Sequence, residues 1–102
     1  MSMLHTVNKS PFERNTLVSC LGHATAGSAI LLIEDGVYGA LEGTAHSDLL
    51  RGALADHSVY VLGPDLNARG MTDDQIIEGV SVVDYGGFVD LTEKHDKVQA
   101  WL

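Results

Sequence analysis

Short apolar runs alternate with amphipathic stretches along the whole chain of 102 residues. The first run predicts a strand at Leu4–Val7, and the second, Ala29–Ile33, is apolar throughout instead of alternating with polar residues. An uninterrupted apolar run is typical of a strand that is covered on both faces, as in a parallel sheet. Further runs predict strands at Val59–Leu62 and Val80–Val83, and the tail Val98–Leu102 predicts a fifth, short edge strand.

The segment after the first strand carries helix-start signals. Ser10 and Glu13 have the spacing of a capping box, and Pro11 suits the first helical position, where a missing N–H is harmless. We therefore predict a helix from about Pro11 to Leu21, ended by Gly22. The apolar stripe of this helix would consist of Phe12, Leu17, Val18 and Leu21.

Helix signals recur between the later strands. The predicted helical segments are Val37–Leu41, Ser47–Ala55, Asp65–Arg69, a short helix capped by Thr72 with Gln75, and Phe88–His95 after a turn at Asp84–Gly87. Strands joined by helical crossovers predict an α/β fold with a mainly parallel, doubly wound sheet of four to five strands and helices on both faces, which makes three layers. We expect residues 1–102 to form a single domain.

Charge and composition narrow the classes of partner. The formal net charge is −8, so the surface repels phosphate backbones and we expect no direct nucleic-acid contact. An acidic surface favours solubility or binding to a basic protein. The sequence has no apolar run of about 18 residues and no leader-like start, so we expect no membrane segment. A single cysteine cannot form an internal disulfide, which favours a cytoplasmic location.

Polar residues follow the predicted strands at the edge where ligands of such sheets collect. They are Asn8 and Lys9, Glu34 and Asp35, Asp65, and Asp84 and Tyr85. The carboxylates favour either a small-ligand binding module or, more simply, caps and turns, which prefer Asp at such positions. The five histidines have no metal-ligand spacing, and no phosphate-binding glycine motif occurs, so we expect neither a metal nor a cofactor.

Cys20 is the candidate nucleophile. A thiolate there could carry persulfide sulfur or attack a substrate, with His23 assisting from three residues further on. Two observations favour a packed cysteine instead: the last turn of a helix disfavours negative charge, and Cys20 borders the apolar stripe. A thiol enzyme acting through Cys20 would require an exposed thiol with a low pKa, and this alternative stays open from the sequence.

The chain resembles the DsrH/TusB family of sulfur-relay subunits, and in particular DsrH of sulfur-oxidising bacteria. Four segments in order carry this resemblance over nearly the whole chain. They are Met3–Val7 with Ser10 and Pro11, Leu31–Val37, Val59–Leu62 with Asp65–Gly70, and Val83–Val89 with Leu91, Thr92, Lys94 and His95.

The resemblance implies a DsrE-like fold and a cytoplasmic heterohexamer with two copies each of DsrE-type, DsrF-type and DsrH-type subunits. Such a complex passes persulfide sulfur to a small acceptor of the DsrC/TusE type, in dissimilatory sulfur oxidation or in 2-thiolation of the tRNA wobble uridine. The main sulfur-accepting cysteine is expected on the DsrE-type partner, which leaves this subunit a mainly structural or accessory role.

Two further expectations concern particular residues. Cys20 matches a cysteine of DsrH chains from sulfur oxidisers, which implies a secondary persulfide carrier. The aromatic residues that we select as candidate contacts with other subunits are Tyr85, Phe88 and Trp101.

Overall fold

The computed structural model describes residues 3–102 and shows one five-stranded sheet with helices packed on it. The strands are β1 (Met3–Val7), β2 (Ala29–Leu32), β3 (Ser58–Leu62), β4 (Ser81–Val83) and β5 (Lys97–Trp101). The α-helices are α1 (Thr16–His23), α2 (Ser47–Ala53), α3 (Gly63–Ala68) and α4 (Tyr85–Lys94), and 3₁₀ helices span Glu34–Ala40 and Asp73–Gln75. All five predicted strands are confirmed to within one or two residues at each end.

The sheet is parallel throughout, with the order β4-β3-β2-β1-β5. The chain adds strands outward from β1 to β4 and then returns through α4 to place β5 on the other side of β1. Because crossovers are right-handed, reversing the direction of strand addition also moves the connecting helix to the opposite face of the sheet. This topology explains why α4 lies apart from the other helices.

Both faces of the sheet are covered, as predicted, but unequally. Side chains of α1, α2 and α3, including Leu17, Leu50 and Leu66, share one core cluster with Ile30 and Leu32 of β2. On the other face, α4 alone contributes Leu91 to a smaller cluster with Leu4, Ala29 and Leu31. All four β2 side chains are at most 2% exposed, which accounts for the uninterrupted apolar run of this strand.

The predicted start of the first helix is wrong. Ser10 caps a single turn, because its Oγ accepts from the Phe12 N–H at 3.2 Å and its carbonyl accepts from the Glu13 and Arg14 N–H groups. The helix begins only at Thr16 and continues past Gly22. Pro11 and Leu17 both pack over Gly39, where an added Cβ would lie 2.8 Å from Leu17 Cδ2 and 3.7 Å from Pro11 Cγ. Two members of the predicted apolar stripe, Phe12 and Val18, are therefore exposed, and Cys20 joins Leu17 in the core.

The predicted turn at Asp84–Gly87 is instead the beginning of α4. Asp84 is the N-cap, and its Oδ1 accepts a hydrogen bond from the Gly87 N–H at 2.8 Å. A Cβ on Gly87 would lie 2.9 Å from Val83 Cβ, so glycine at this position lets the helix follow closely on β4. Gly87, one of the two glycines that indicated a turn, thus serves close packing at a helix N-terminus.

The remaining helical predictions hold with changed limits. The segment predicted as a short helix at Val37–Leu41 is the 3₁₀ helix Glu34–Ala40, and the turn predicted at Asp65–Arg69 belongs to α3, which begins at Gly63. The capping box of Thr72 and Gln75 is confirmed, with the Thr72 N–H donating to Gln75 Oε1 at 2.9 Å.

We expect Asp84→Ala to lower the free energy of unfolding by about 1 kcal/mol, because the change removes the side-chain cap of the helix that covers the second sheet face. Denaturant unfolding measures this change. Asp90→Ala, an exposed carboxylate of the same helix, is the matched control and should alter stability by less than about 0.5 kcal/mol. Equal losses in the two variants would contradict the role of Asp84 as a cap.

Candidate functional site

The carboxylates that follow β2 and β3 are engaged in holding the backbone at that edge. Glu34 has a φ of 50°, a conformation that non-glycine residues seldom adopt, and its N–H donates to Asp65 Oδ2 at 2.6 Å. Asp35 accepts from Arg69 Nε at 3.0 Å and forms an ion pair with Arg69 Nη2 at 2.9 Å. Asp65 and Arg69 thus hold the segment that follows β2 against the α3 region, so these carboxylates have a structural role.

The other predicted edge residues have separate surroundings. Asp84 caps α4, and Tyr85 beside it is 61% exposed. Asn8, at the end of β1, has a buried Oδ1 without a hydrogen-bond partner. Among residues 3–102, no group of three or more His, Cys, Asp or Glu side chains is arranged to hold a metal ion. Structural contacts therefore account for all three aspartates: Asp84 caps a helix, Asp65 accepts from the Glu34 N–H, and Asp35 pairs with Arg69 instead of serving as a cap.

Cys20 lies in the interior between α1 and the sheet. Its side chain is fully buried in the larger core cluster, and burial raises the pKa of the thiol to about 12. A thiol with such a pKa carries almost no thiolate near pH 7, and the thiolate is the nucleophilic form. These properties are the opposite of those that a thiol enzyme acting through Cys20 requires.

His23 is not placed to activate Cys20. Its Nδ1 lies 2.8 Å from the Ser19 carbonyl oxygen one turn earlier, so the ring is tied to the backbone of its own helix. The ring also lies beside Trp101, with the two ring centroids 5.9 Å apart. The predicted assistance from His23 therefore has no geometric support.

A contact between the two ends of the chain was not predicted from the sequence. The Trp101 Nε1–H donates to His5 Nδ1 at 3.0 Å, and the two ring centroids are 6.1 Å apart. His5 is only 4% exposed, and His57 acts on it electrostatically from the turn before β3. Two of the scattered histidines, His5 and His23, thus lie beside Trp101, and His57 acts on His5.

A cleft of about 360 Å³ lies between α1 and α2, away from the carboxyl edge of the sheet. Its apolar lining is Leu21, Leu49 and Ala53, and its polar lining includes Asp48 and His57. The Nδ1 atom of His57 is buried without a hydrogen-bond partner. No sequence pattern predicts this cleft, because its residues come from two helices and a turn that only the fold brings together.

Several apolar side chains are exposed on the outside of the helices and at the edge of the sheet. On α4, Tyr85 and Val89 are spaced by four residues and lie on one side of the helix, while Phe88 and Leu91 face the sheet. Val98 of β5 is about half exposed. Of the three aromatic residues selected from the sequence, Tyr85 is thus the one that projects freely, because Phe88 and Trp101 pack against the two cores.

No helix within residues 3–102 is both long and apolar enough to cross a membrane.

Solved structures share this fold at low sequence identity. The crystal structure of the ychN protein from E. coli aligns with a TM-score of 0.82 and 17% identity, covering 98% of each chain. The solution structure of protein Tm0979 from Thermotoga maritima aligns with a TM-score of 0.66 and 26% identity, covering 92% of this chain and 93% of the other. The overall fold therefore recurs in other proteins.

Comparison of the amino-acid sequence with known families and proteins identifies relatives at higher identity. A family model described as "DsrH like protein" matches residues 9–98. "Protein TusB" from Pectobacterium parmentieri is 42% identical over 100 residues, and "Protein TusB" from Escherichia coli strain K12 is 39% identical over 99 residues. Each alignment covers 97% of this chain and 100% of the relative. The chain belongs to the DsrH/TusB family of sulfur-relay proteins.

Proposed function

We propose that this chain is an accessory subunit of a cytoplasmic sulfur-relay heterohexamer, with two copies each of this chain, a DsrE-type subunit and a DsrF-type subunit. The complex passes persulfide sulfur to a small acceptor protein of the DsrC/TusE type. The observation that carries the accessory role is the burial of Cys20, the only cysteine of the chain. A subunit without an accessible thiol depends on a partner to hold the sulfur.

Two pathways use relays of this kind, and the relatives favour one of them. The two relatives described above are both named TusB, which favours 2-thiolation of the tRNA wobble uridine as the pathway of this chain. Dissimilatory sulfur oxidation is the alternative, drawn from the resemblance to DsrH of sulfur oxidisers. In either pathway the net charge of −8 favours contact with proteins over direct contact with tRNA.

The exposed stripe on α4 is the surface that we propose for contact with another subunit. Tyr85 and Val89 project from the one helix that covers the second sheet face, and Tyr side chains supply large contact areas at interfaces. Asp90 and Glu93 are exposed on the same helix, so a partner with an apolar centre and basic margins would complement this surface.

Cys20 as a secondary persulfide carrier stays a prediction. Its thiol would have to become accessible, and this requires α1 to separate from the sheet, because Leu17 and Cys20 are buried together in the same core. A partner subunit that supplies positive charge near the end of α1 would also be needed to favour the thiolate.

Co-expression with DsrE-type and DsrF-type subunits should yield a stable 2:2:2 assembly, measured as solution mass by light scattering. Tyr85→Glu should shift the equilibrium toward free subunits, because it places a charge where the partner packs while remaining compatible with the first turn of α4.

The matched control is Val18→Glu, which places the same charge at an exposed apolar position of α1 on the other sheet face. It should leave the assembly intact. If the native chain binds neither partner type, the proposed function is contradicted. If the assembly is lost with Val18→Glu but kept with Tyr85→Glu, the proposed contact surface is contradicted.

In the reconstituted complex, Cys20→Ala should transfer sulfur to the acceptor protein at the native rate, because the accessory role assigns Cys20 to packing. Mass spectrometry of the persulfidated acceptor measures the transfer. Cys20→Ser serves as the companion variant: it buries a hydroxyl in the core and should lower the free energy of unfolding by about 1–3 kcal/mol. Loss of transfer by an intact Cys20→Ala complex would establish Cys20 as a carrier.

A further inference from the structure

The hydrogen bond between Trp101 and His5 joins the last strand to the first. His5 lies in the middle of β1 on the sheet face that α1 covers, and Trp101 lies opposite Val7 in the register of β5 with β1. The indole Nε1–H donates to His5 Nδ1 at 3.0 Å, which is ordinary hydrogen-bond geometry. Residues 96 positions apart in the sequence are thus connected by one side-chain bond.

This bond dictates the protonation state of His5. An indole nitrogen can only donate, so Nδ1 must offer its lone pair and the ring proton must reside on Nε2. A second proton would have to bind at Nδ1, where it would place an N–H group against the indole N–H group. Two donors cannot bond to each other, and protonation of His5 is therefore incompatible with the Trp101 contact.

The surroundings of His5 oppose a positive charge. Burial lowers the pKa of His5 below its ordinary value of 6.5, and the electrostatic effect of His57 lowers it further. A protonated His5 beside Trp101 could gain a cation–π attraction, but the centroid separation of 6.1 Å and the interplanar angle of 46° make that attraction weak.

The neighbouring elements contribute further groups that titrate or carry charge. The ring of His23 on α1 also lies beside the Trp101 ring, with the centroids 5.9 Å apart. Lys97 shares the sheet face of Trp101 because it lies four residues earlier on β5. Cys20 of α1 stays neutral in the core, and β2 (Ala29–Leu32) carries no titratable side chain. The carboxylates adjoining these segments, Asp56 and Asp96, are at exposed positions.

β5 depends on Trp101 more than on its other side chains. It pairs with β1 alone, at the edge of the sheet. Lys97, Val98, Gln99 and Ala100 are exposed, and Trp101 is the one residue of the strand that is partly buried. An edge strand with so little buried surface belongs to the part of a fold that opens most easily.

We propose that the Trp101–His5 hydrogen bond is a pH-sensitive latch, in which neutral His5 holds β5 on the sheet and protonated His5 releases it. His5 binds its proton less readily in the folded protein than in the unfolded chain, where its pKa is 6.5. The contribution of neutral His5 to the free energy of unfolding is therefore complete above pH 6.5 and declines as the pH falls below that value. The consequence is a C-terminal strand that opens in mildly acidic conditions.

The single tryptophan of the chain gives a direct test by nuclear magnetic resonance of the full-length protein. At pH 7.5 the indole N–H resonance should lie at a hydrogen-bonded position, and His5 should show the Nε2–H tautomer. As the pH falls, the indole resonance and the hydrogen-exchange protection of the β5 amides should change with the same midpoint as the His5 ring.

Three variants separate this latch from general acid sensitivity. His5→Asn keeps an acceptor at the δ position without titrating, so the indole resonance should become independent of pH between 5 and 7.5. His23→Asn should leave the midpoint of the indole transition within about 0.3 pH units of that of the native chain. Trp101→Phe, which retains a ring but no N–H, should raise the pKa of His5 and speed β5 amide exchange at pH 7.5 about fivefold.

If His5→Asn does not fold, the Trp101→Phe variant and the pH titration of the native protein still test the proposal. An indole resonance and β5 protection that stay constant while His5 titrates would overturn the proposal. A transition that follows His23, or an unchanged His5 pKa in Trp101→Phe, would overturn it equally.

Discussion

Helix α1 packs on the sheet through Leu17 and Cys20, which join the larger core cluster, and this contact determines what chemistry the chain can perform. A helix of eight residues is unstable alone, so it depends on the burial of these side chains in the core beneath it. The same burial that holds the helix removes the only thiol from water and raises its pKa to about 12. The burial of Cys20 thus stabilises the fold and at the same time makes its thiol unreactive.

The handedness of crossovers gives the second constraint. Because strands are added on one side of β1 until β4 and on the other side for β5, α4 is the helix that residues 3–102 supply to the second sheet face. That face consequently has a thinner cover, with Tyr85 and Val89 projecting outward, and the sheet ends in a short edge strand. Such features suit a subunit that completes its surface by contact with relatives of similar fold.

Local sequence patterns predicted an element correctly where the interactions that form it lie between chain neighbours, or where every side chain of the element is buried. The continuous apolar run of β2 reports burial on both faces, and the Thr72–Gln75 capping box involves neighbours in the chain. The local patterns gave a wrong prediction at the start of the first helix, where the same residues can begin either a helix or a single turn. Ser10 and Pro11 start a turn instead of a helix, and in this arrangement Pro11 and Leu17 both pack over Gly39.

Contacts that depend on strand order could not be derived from periodicity. The pairing of His5 with Trp101 requires that β5 lie beside β1, and no pattern within either strand specifies its neighbour. The cleft between α1 and α2 is equally non-local. For Cys20, its position beside the predicted apolar stripe favoured burial without deciding it, and the predicted stripe wrongly included Phe12 and Val18.

The reactivity of Cys20 toward a thiol reagent such as Ellman's reagent at pH 7.5 tests the central claim most directly. If Cys20 is a core residue, the native chain should react at least about a thousandfold more slowly than the chain in denaturant at the same pH, because an opening free energy of about 4 kcal/mol is ordinary for a protein core. Full modification of the native protein at the rate of the unfolded chain would contradict the account and restore Cys20 as an accessible site.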